Sequence, residues 1–293
     1  MPRKPTPAYR VFQFANLVFL TLLAATMFLP YLNVLAKSLS SANAVEAGKV
    51  NLWPVEFSTL NYQYVMQDFT IWRAFGVTVL VTVCGTLINL IMTSSFAYPL
   101  SRPEYVGRKY LLLMVLFTMI FSAPLIPTFI LIKKLHLMNT LWALMIPSAI
   151  SAFNFFVMRS FFQNIPNELI DAARIDGCSE TRILWSVVVP LSRPAMATMA
   201  IFYAVFHWNT YQSALYYLND RALYPLQLRL RELIVSDDIS IDPNASQFAD
   251  LAAQSPEGIK MATVIVATLP ILLVYPLLQK HFIKGMLIGS VKS

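Results

Sequence analysis

AFGVTVLVTVCGTLINLIMTSSFA, residues Ala74–Ala97, contains no Asp, Glu, Lys or Arg. As a helix rising 1.5 Å per residue it crosses roughly 30 Å of hydrocarbon. One charge at its centre would cost on the order of 3 kcal/mol, so the absence of charge is what a membrane span requires. Five more charge-free blocks surround it: Val11–Ala36, Tyr110–Ile132, Thr140–Met158, Pro194–Leu218 and Met261–Gln279. Each is about 20 residues or longer, the length a span needs. Charged residues make up 13% of the chain, against about 25% in soluble domains. Six core helices of a soluble protein would not all be free of charge. The expected fold is an all-α membrane protein with six transmembrane helices in a single domain, residues 1–293.

The blocks predict spans at about 11–36, 74–97, 110–132, 140–158, 194–218 and 261–279, with outer loops at 37–70 and 219–258. Arg3, Lys4 and Arg10 before the first block resemble the start of a signal peptide. That block is far longer than the roughly 7–15 apolar residues of a signal core, so it is expected to stay as a span. With the N-terminus in the cytoplasm, 13 of the 22 basic residues fall on the inner side. The positive-inside bias therefore predicts both termini in the cytoplasm, and topology accounts for most of the net charge of +7. Cys84 and Cys178 provide no disulfide framework: one lies in the second span, the other between the fourth and fifth.

The segment 159–193 is the polar exception. Its centre, NELIDAARIDGCSETRILWSVVVP (Asn167–Pro190), holds four of the chain's 15 carboxylates. Pro166 suits a helix start. Leu169, Ala172 and Ala173 form a small apolar stripe. Gly177 stands where a helix end needs positive φ. Ser179 can cap a second helix, with Glu180 in its first turn. Ile183, Leu184, Val187, Val188 and Leu191 line one face of it, and Pro190 and Pro194 should end it. Two short helices joined at Gly177–Cys178 can be a plain connector, a DNA-reading helix pair or a docking surface for a cytoplasmic partner. The DNA reading needs a basic second helix, and that helix carries only Arg182.

The same residues resemble the EAA loop of ATP-binding-cassette importer permeases. In that pattern Glu-Ala-Ala is followed after three residues by Gly, and after nine more by Ile-x-Leu-Pro. Here Asp171-Ala172-Ala173, Gly177 and Val187-x-Val189-Pro190 keep the spacing, with Asp for Glu and Val for Ile and Leu. LMNTLWALMIP (137–147), FFVMRSFFQNIP (155–166), FYAVFHWN (202–209) and LPILLVYPLLQKHFIKGMLIGSVK (269–292) are also similar to carbohydrate permeases. The branch they most resemble imports oligosaccharides, including alginate- and pectin-type ones. The resemblance implies a type I importer permease in the bacterial cytoplasmic (inner) membrane. Its cytoplasmic coupling helix, with Glu168, Asp171, Ala172, Ala173, Arg174, Asp176, Gly177 and Pro190, would seat in an ATP-binding subunit. A second permease, two ATP-binding subunits and an extracytoplasmic solute-binding protein would complete the assembly, with ATP and Mg held by the partner subunits. No cofactor, metal or nucleic acid is expected on this chain.

The fifth span is the richest in polar groups: Tyr203, His207, Trp208, Asn209, Tyr211 and Gln212. Asn89 and Asn154 add weaker candidates from the second and fourth spans. Such groups need internal partners or a wet cavity in a bilayer. They can line a sugar path, aromatic faces against sugar C–H faces and amides against hydroxyls. They can equally bond across to neighbouring helices. Arg229 and Arg231, in LQLRLRE, share one face of a strand-like alternation and can pair with an acidic sugar or with acids of the same loop. No G-x-x-x-x-G-K-[ST] occurs, so the chain carries no P-loop and is not expected to be an enzyme. Two other readings stay open: a secondary transporter, which usually needs a buried carboxylate absent from these spans, and a membrane assembly or scaffold protein.

Overall fold

The computed structural model describes residues 7–121, 123–235 and 255–290, with side chains up to residue 273. Among the described residues the chain is helical, apart from turns and one isolated antiparallel bridge between Ser40 and Phe57. They form two compact units. One gathers the described residues of Met1–Phe69 and Glu232–Thr268, the other those of Thr70–Arg231 and Leu269–Ser293.

The first unit holds α1 (Pro7–Ser38), α2 (Ala42–Glu46), α3 (Leu60–Gln67) and the opening turns of α15 (Pro256–Ser290). Along α1 only Ala36 and Ser38 are buried, and Phe12, Phe14, Phe19 and Leu22 stand out from the chain. A large apolar surface of this kind is what lipid or another membrane chain covers. The segment expected as an outer loop, 37–70, is built around α2 and α3. Ser41 Oγ caps α2 at Ala44 N–H. The Asn61 amide donates to the Ser38 and Ser40 carbonyls at 3.1 and 3.4 Å. Lys37 Nζ pairs with Glu257 at 2.6 Å, joining the end of α1 to the start of α15.

The second unit runs α4 (Phe69–Ser101), α5 (Arg108–Ile120), α6 (Leu125–Lys134), α7 (Trp142–Met145), α8 (Ala152–Gln163), α9 (Asn167–Ile175) and α10 (Glu180–Ile183). A π-helical turn at Leu184–Val188 follows, then α11 (Val189–Leu191), α12 (Arg193–Trp208), α13 (Gln212–Tyr217) and α14 (Leu226–Val235). The α4 helix is inside-out relative to a soluble one. It buries Thr78, Gly85, Asn89, Thr93, Ser94 and Ala97 and exposes Leu80, Val83, Leu87 and Ile91. Small and polar residues let membrane helices approach and bond, while the apolar face meets lipid. Phe155, Met158 and Phe162 of α8 pack with Leu100 of α4 and with Met199 and Tyr203 of α12.

Three of the six apolar blocks fall in single helices long and apolar enough to cross a membrane: Pro7–Ser38, Phe69–Ser101 and Pro256–Leu273. The other three are interrupted, which counting charges cannot reveal. In 110–132, α5 stops at Ile120 and α6 begins after Pro124, whose backbone is extended. In 140–158, Pro147 follows α7 and an extended Ser151 precedes α8. Proline lacks the N–H a helix interior needs. In 194–218, α12 stops at Trp208, where Asn209 Nδ2 donates to the Val205 carbonyl at 2.8 Å and Thr210 Oγ1 to that of Phe206 at 3.1 Å. Side chains that bond nearby backbone in this way compete with the helix ladder.

Two further expectations change. LQLRLRE lies in α14, a helix that starts after Pro225, with the Leu228 and Arg229 N–H groups bonded to the Pro225 carbonyl. Among the described residues no strand neighbours it, and this backbone satisfies its hydrogen bonds internally. Arg229 and Arg231 therefore do not share a strand face, and Arg229 Nη2 reaches Thr70 Oγ1 at 3.5 Å. Pro190 does not end its helix. The π turn bonds Val189 N–H to the Leu184 carbonyl, so the ladder passes the missing proline donor and the run continues to Leu191. The chain then bends by 88° into α12. Asp237, Asp238, Asp242 and Asp250 of the expected last outer loop lie outside the described residues.

Candidate functional site

The α9–α10 loop is a turned corner with a buried floor and an exposed roof. Pro166 precedes α9 with φ −54° and ψ 133°, outside the helical region. Helix α9 ends in a Schellman turn: Cys178 N–H bonds the Ala173 carbonyl and Gly177 N–H that of Arg174, both at 3.0 Å. This motif needs a left-handed residue, and Gly177 supplies it with φ +77°. An ideal Cβ on Gly177 would meet nothing within 4 Å, so glycine is favoured there by backbone conformation alone. Ser179 Oγ accepts from Arg182 N–H at 3.4 Å and caps α10.

The floor differs from the stripe expected. Ile170 and Ala173 are buried, while Leu169 and Ala172 face outward. Ile183, Leu184 and Val188 are buried in the same core as Phe155 and Met199, whereas Leu191 stays exposed. The loop is thus packed onto the spans; truncating one such residue, as in Ile170→Ala, typically costs 2–5 kcal/mol. The roof presents Glu168, Leu169, Asp171, Ala172, Ile175 and Asp176, with Ile175 87% exposed. A large apolar side chain left in the open beside three carboxylates suits a surface completed by a partner.

Other charges of the loop bond to neighbouring residues and helices. Arg174 Nε donates to Glu180 Oε1 at 2.8 Å across the Gly177 turn, and Arg174 Nη1 lies 3.3 Å from Asp171. Tyr98 of α4 donates to Glu180 Oε2 at 2.7 Å. Arg102, almost fully buried, donates to Asn167 Oδ1 at 3.1 Å and to the Phe162 carbonyl at 2.8 Å, with its guanidinium over the Tyr98 ring. Arg159 of α8 donates in return to the Leu100 carbonyl at 2.9 Å. Each of these two arginines donates to a carbonyl in the last turn of the other helix, where the intrahelical ladder runs out. Tyr98, Arg102 and Glu180 were not candidates in the sequence. The closing of a helix end by an arginine from another helix has no short-range spacing. Arg174 also ties the loop together through Asp171 and Glu180, and Pro190 continues the run after the π turn. Asp171 stands on the rim, bound to Arg174 and still exposed.

Partial burial raises the Glu180 carboxyl, but hydrogen bonds from Tyr98 and Arg174 outweigh it and hold the group below its ordinary value. A carboxyl depressed on folding stabilises above its unfolded pKa, about 4.3, and that stability is lost as pH falls through the folded value. The melting temperature of wild type should therefore exceed that of Glu180→Gln at neutral pH, and the gap should shrink on acidification toward about pH 4. A gap independent of pH would show that the Glu180 charge does not hold the loop.

The fifth-span candidates separate into two groups. Tyr203 and His207, one turn apart on α12, face Thr93 and Asn89, one turn apart on α4. The Thr93 and Tyr203 hydroxyls share a bond of 2.7 Å, and His207 Nε2 lies 2.6 Å from Asn89 Oδ1. Asn89 Nδ2 donates to the Ser148 carbonyl, and Ser151 N–H to Tyr203 at 3.3 Å, so this seam also ties down the break between α7 and α8. Asn89, Asn154, Tyr203 and His207 are all buried. Asn209, Tyr211 and Gln212 are exposed at the break between α12 and α13. Trp208 lies half-buried beside them, edge-on to Phe75 with ring centroids 5.9 Å apart. Cys84 and Cys178 are free thiols, and among the described residues no cluster of ligating side chains fits a metal ion.

Residues 97–288 match the family described as "Binding-protein-dependent transport system inner membrane component". The chain is 43% identical to the polygalacturonan/rhamnogalacturonan transport system permease protein YtcP of Bacillus subtilis (strain 168), an alignment covering 97% of this chain and 99% of that one. It is 44% identical to protein LplC of the same organism, over 98% and 97% of the two chains. Among solved structures, a bacterial ABC transporter involved in the import of the acidic polysaccharide alginate superposes with a TM-score of 0.88 at 33% identity, covering 96% of this chain and 100% of that one. An inward-packed corner with an open roof, helices that bury their polar faces, and this likeness over nearly the full length agree. The chain belongs to the inner-membrane permease components of binding-protein-dependent ABC transport systems.

Proposed function

We propose that this chain is the permease subunit of an ATP-driven importer of acidic oligosaccharides. The observation that carries the coupling role is the α9–Gly177–α10 corner, with its exposed roof of Glu168, Asp171, Ala172, Ile175 and Asp176 and its floor in the core of the spans. In this reading the roof seats on an ATP-binding subunit in the cytoplasm, and ATP and Mg are held there. A second permease and an extracytoplasmic solute-binding protein complete the transporter, and both termini of this chain lie in the cytoplasm. Closure of the ATP-binding subunits pushes the corner. The push passes through Tyr98 and Arg102 to α4 and through Arg159 to α8, so the spans switch between inward- and outward-open packings.

The sugar path runs past the break between α12 and α13. Asn209 and Gln212 offer amides to hydroxyls, and Tyr211 and Trp208 offer ring faces. Non-helical backbone at membrane depth is tolerated where it is enclosed by protein or lines a watery cavity, which favours this break as a lining element. The buried seam of Asn89, Tyr203 and His207 acts as the structural support behind it. Acidic substrates are favoured because one relative, YtcP, is named for polygalacturonan/rhamnogalacturonan and the structural neighbour for the acidic polysaccharide alginate.

Uptake of labelled oligogalacturonides, oligoalginates and neutral oligosaccharides by the reconstituted complex tests the reading. ATP-dependent, binding-protein-dependent uptake of an acidic class is expected. Uptake without ATP hydrolysis would indicate a secondary transporter, and no transport of any of these sugars would refute the assignment. Asn209→Ala and Trp208→Ala are each expected to lower uptake several-fold with assembly intact. If both transport normally, the path does not run past this break.

A further inference from the structure

Beside α5 lies an open groove of about 550 Å³. It is lined by Tyr105, Gly107, Arg108 and Lys109 around the start of α5, by Leu112, Leu113 and Leu116 further along that helix, and by Phe156 of α8. At 1.5 Å per residue, Leu116 sits about 12 Å along the helix from Arg108. The groove therefore grades from cationic to apolar over the distance separating a lipid phosphate from the upper part of its acyl chains. Among the described residues neither Arg108 nor Lys109 has a carboxylate within 4 Å. Burial, and then the like charge of Arg108, lower the Arg159 guanidinium, so an anion beside Arg108 would relieve a repulsion.

We propose that this groove binds one anionic phospholipid, its phosphate between Arg108 and Lys109 and an acyl chain against Leu112, Leu116 and Phe156. The chemistry selects this occupant over three others. A soluble anion leaves the apolar walls wet. A zwitterionic lipid brings its own cation to two unpaired ones. A helix of another chain covering the groove would bury those cations, which is costly unless each is paired. Basic pockets between membrane helices suit anionic headgroups, through charge attraction that adds up over the basic residues. The groove opens on the end of α5 nearest Glu104, which approaches Arg174 of the α9–α10 loop at 4.0 Å. The choice of the cytoplasmic leaflet thus rests on the proposed position of that loop.

Native mass spectrometry of the whole transporter complex, loaded with equal amounts of phosphatidylglycerol and phosphatidylcholine of matched acyl chains, tests this. Wild type should retain one phosphatidylglycerol more than the Arg108→Gln/Lys109→Gln variant, with a preference over phosphatidylcholine on the order of ten-fold. Lipids are counted only on intact complexes, so a variant that misfolds does not enter the count, and the two single variants should each retain an intermediate amount. Equal phosphatidylglycerol retention by wild type and double variant would overturn the proposal, and so would equal retention of the two lipids by wild type. The readout involves no transport, so its failure is distinct from failure of the coupling role.

Discussion

Gly177→Val is expected to lower uptake by at least about ten-fold while the chain still inserts and assembles. The reason is the backbone. Gly177 holds φ +77°, a region where a β-branched residue is an outlier and where strain costs on the order of 1–3 kcal/mol. Open space around its Cβ position excludes a packing clash as the cause. The strain is relieved only by undoing the Schellman turn. That swings Glu180 away from Tyr98 and Arg174 and detaches the roof from α4. Gly177→Asn should keep most of the activity, because Asn enters the left-handed region more readily than other residues with a side chain. Uptake by the purified, reconstituted complex measures both. Normal uptake by a well-expressed Gly177→Val protein would remove the corner from the coupling pathway.

Gly85→Ala is expected to destabilise the α4–α12 contact, on the order of 1–3 kcal/mol as for other overpacked interiors. A Cβ there would stand 2.5 Å from His207 Nε2, 2.7 Å from Cε1 and 2.8 Å from Cδ2. The imidazole cannot yield cheaply: it is buried, and its Nε2 is held by Asn89. The added methyl must push the two helices apart or break that bond, which also loosens Asn89 from the Ser148 carbonyl. The melting temperature of the detergent-solubilised complex should fall, and pairing Gly85→Ala with His207→Ala should recover part of it, since the ring that blocks the methyl is gone. A Gly85→Ala protein as stable as wild type, or a double variant no better than Gly85→Ala, would show that the seam is not tight.

The corner was legible because its information is local. A proline before a helix, a glycine after it and a serine three residues ahead of the N–H it caps fix dihedral angles within a few residues. The structure reproduces those turns at Pro166, Gly177 and Ser179. The polar seam was half legible. Tyr203, His207, Asn89 and Asn154 declared themselves as polar residues in apolar blocks, but whether such a residue lines a path or bonds to a neighbour depends on what stands opposite. Thr93 and Gly85 are more than 100 positions from their partners on α12.

The sequence alone determined that this chain enters a membrane, because each apolar block excludes the charges whose burial in hydrocarbon is most costly. It also determined that one polar corner interrupts those blocks, because helix ends are specified by side chains beside them. Only the tertiary structure decided which face of that corner is floor and which is roof. Leu169 and Ile170, or Ala172 and Ala173, are alike in composition, and the packing surface of α8 and α12 chooses between them. It decided too that Arg102 and Arg159 close each other's helix ends, and that three apolar blocks are broken. Apolar composition is the same for a straight helix and a bent one, and only the hydrogen bonds at Pro124, Ser151 and Asn209 distinguish them.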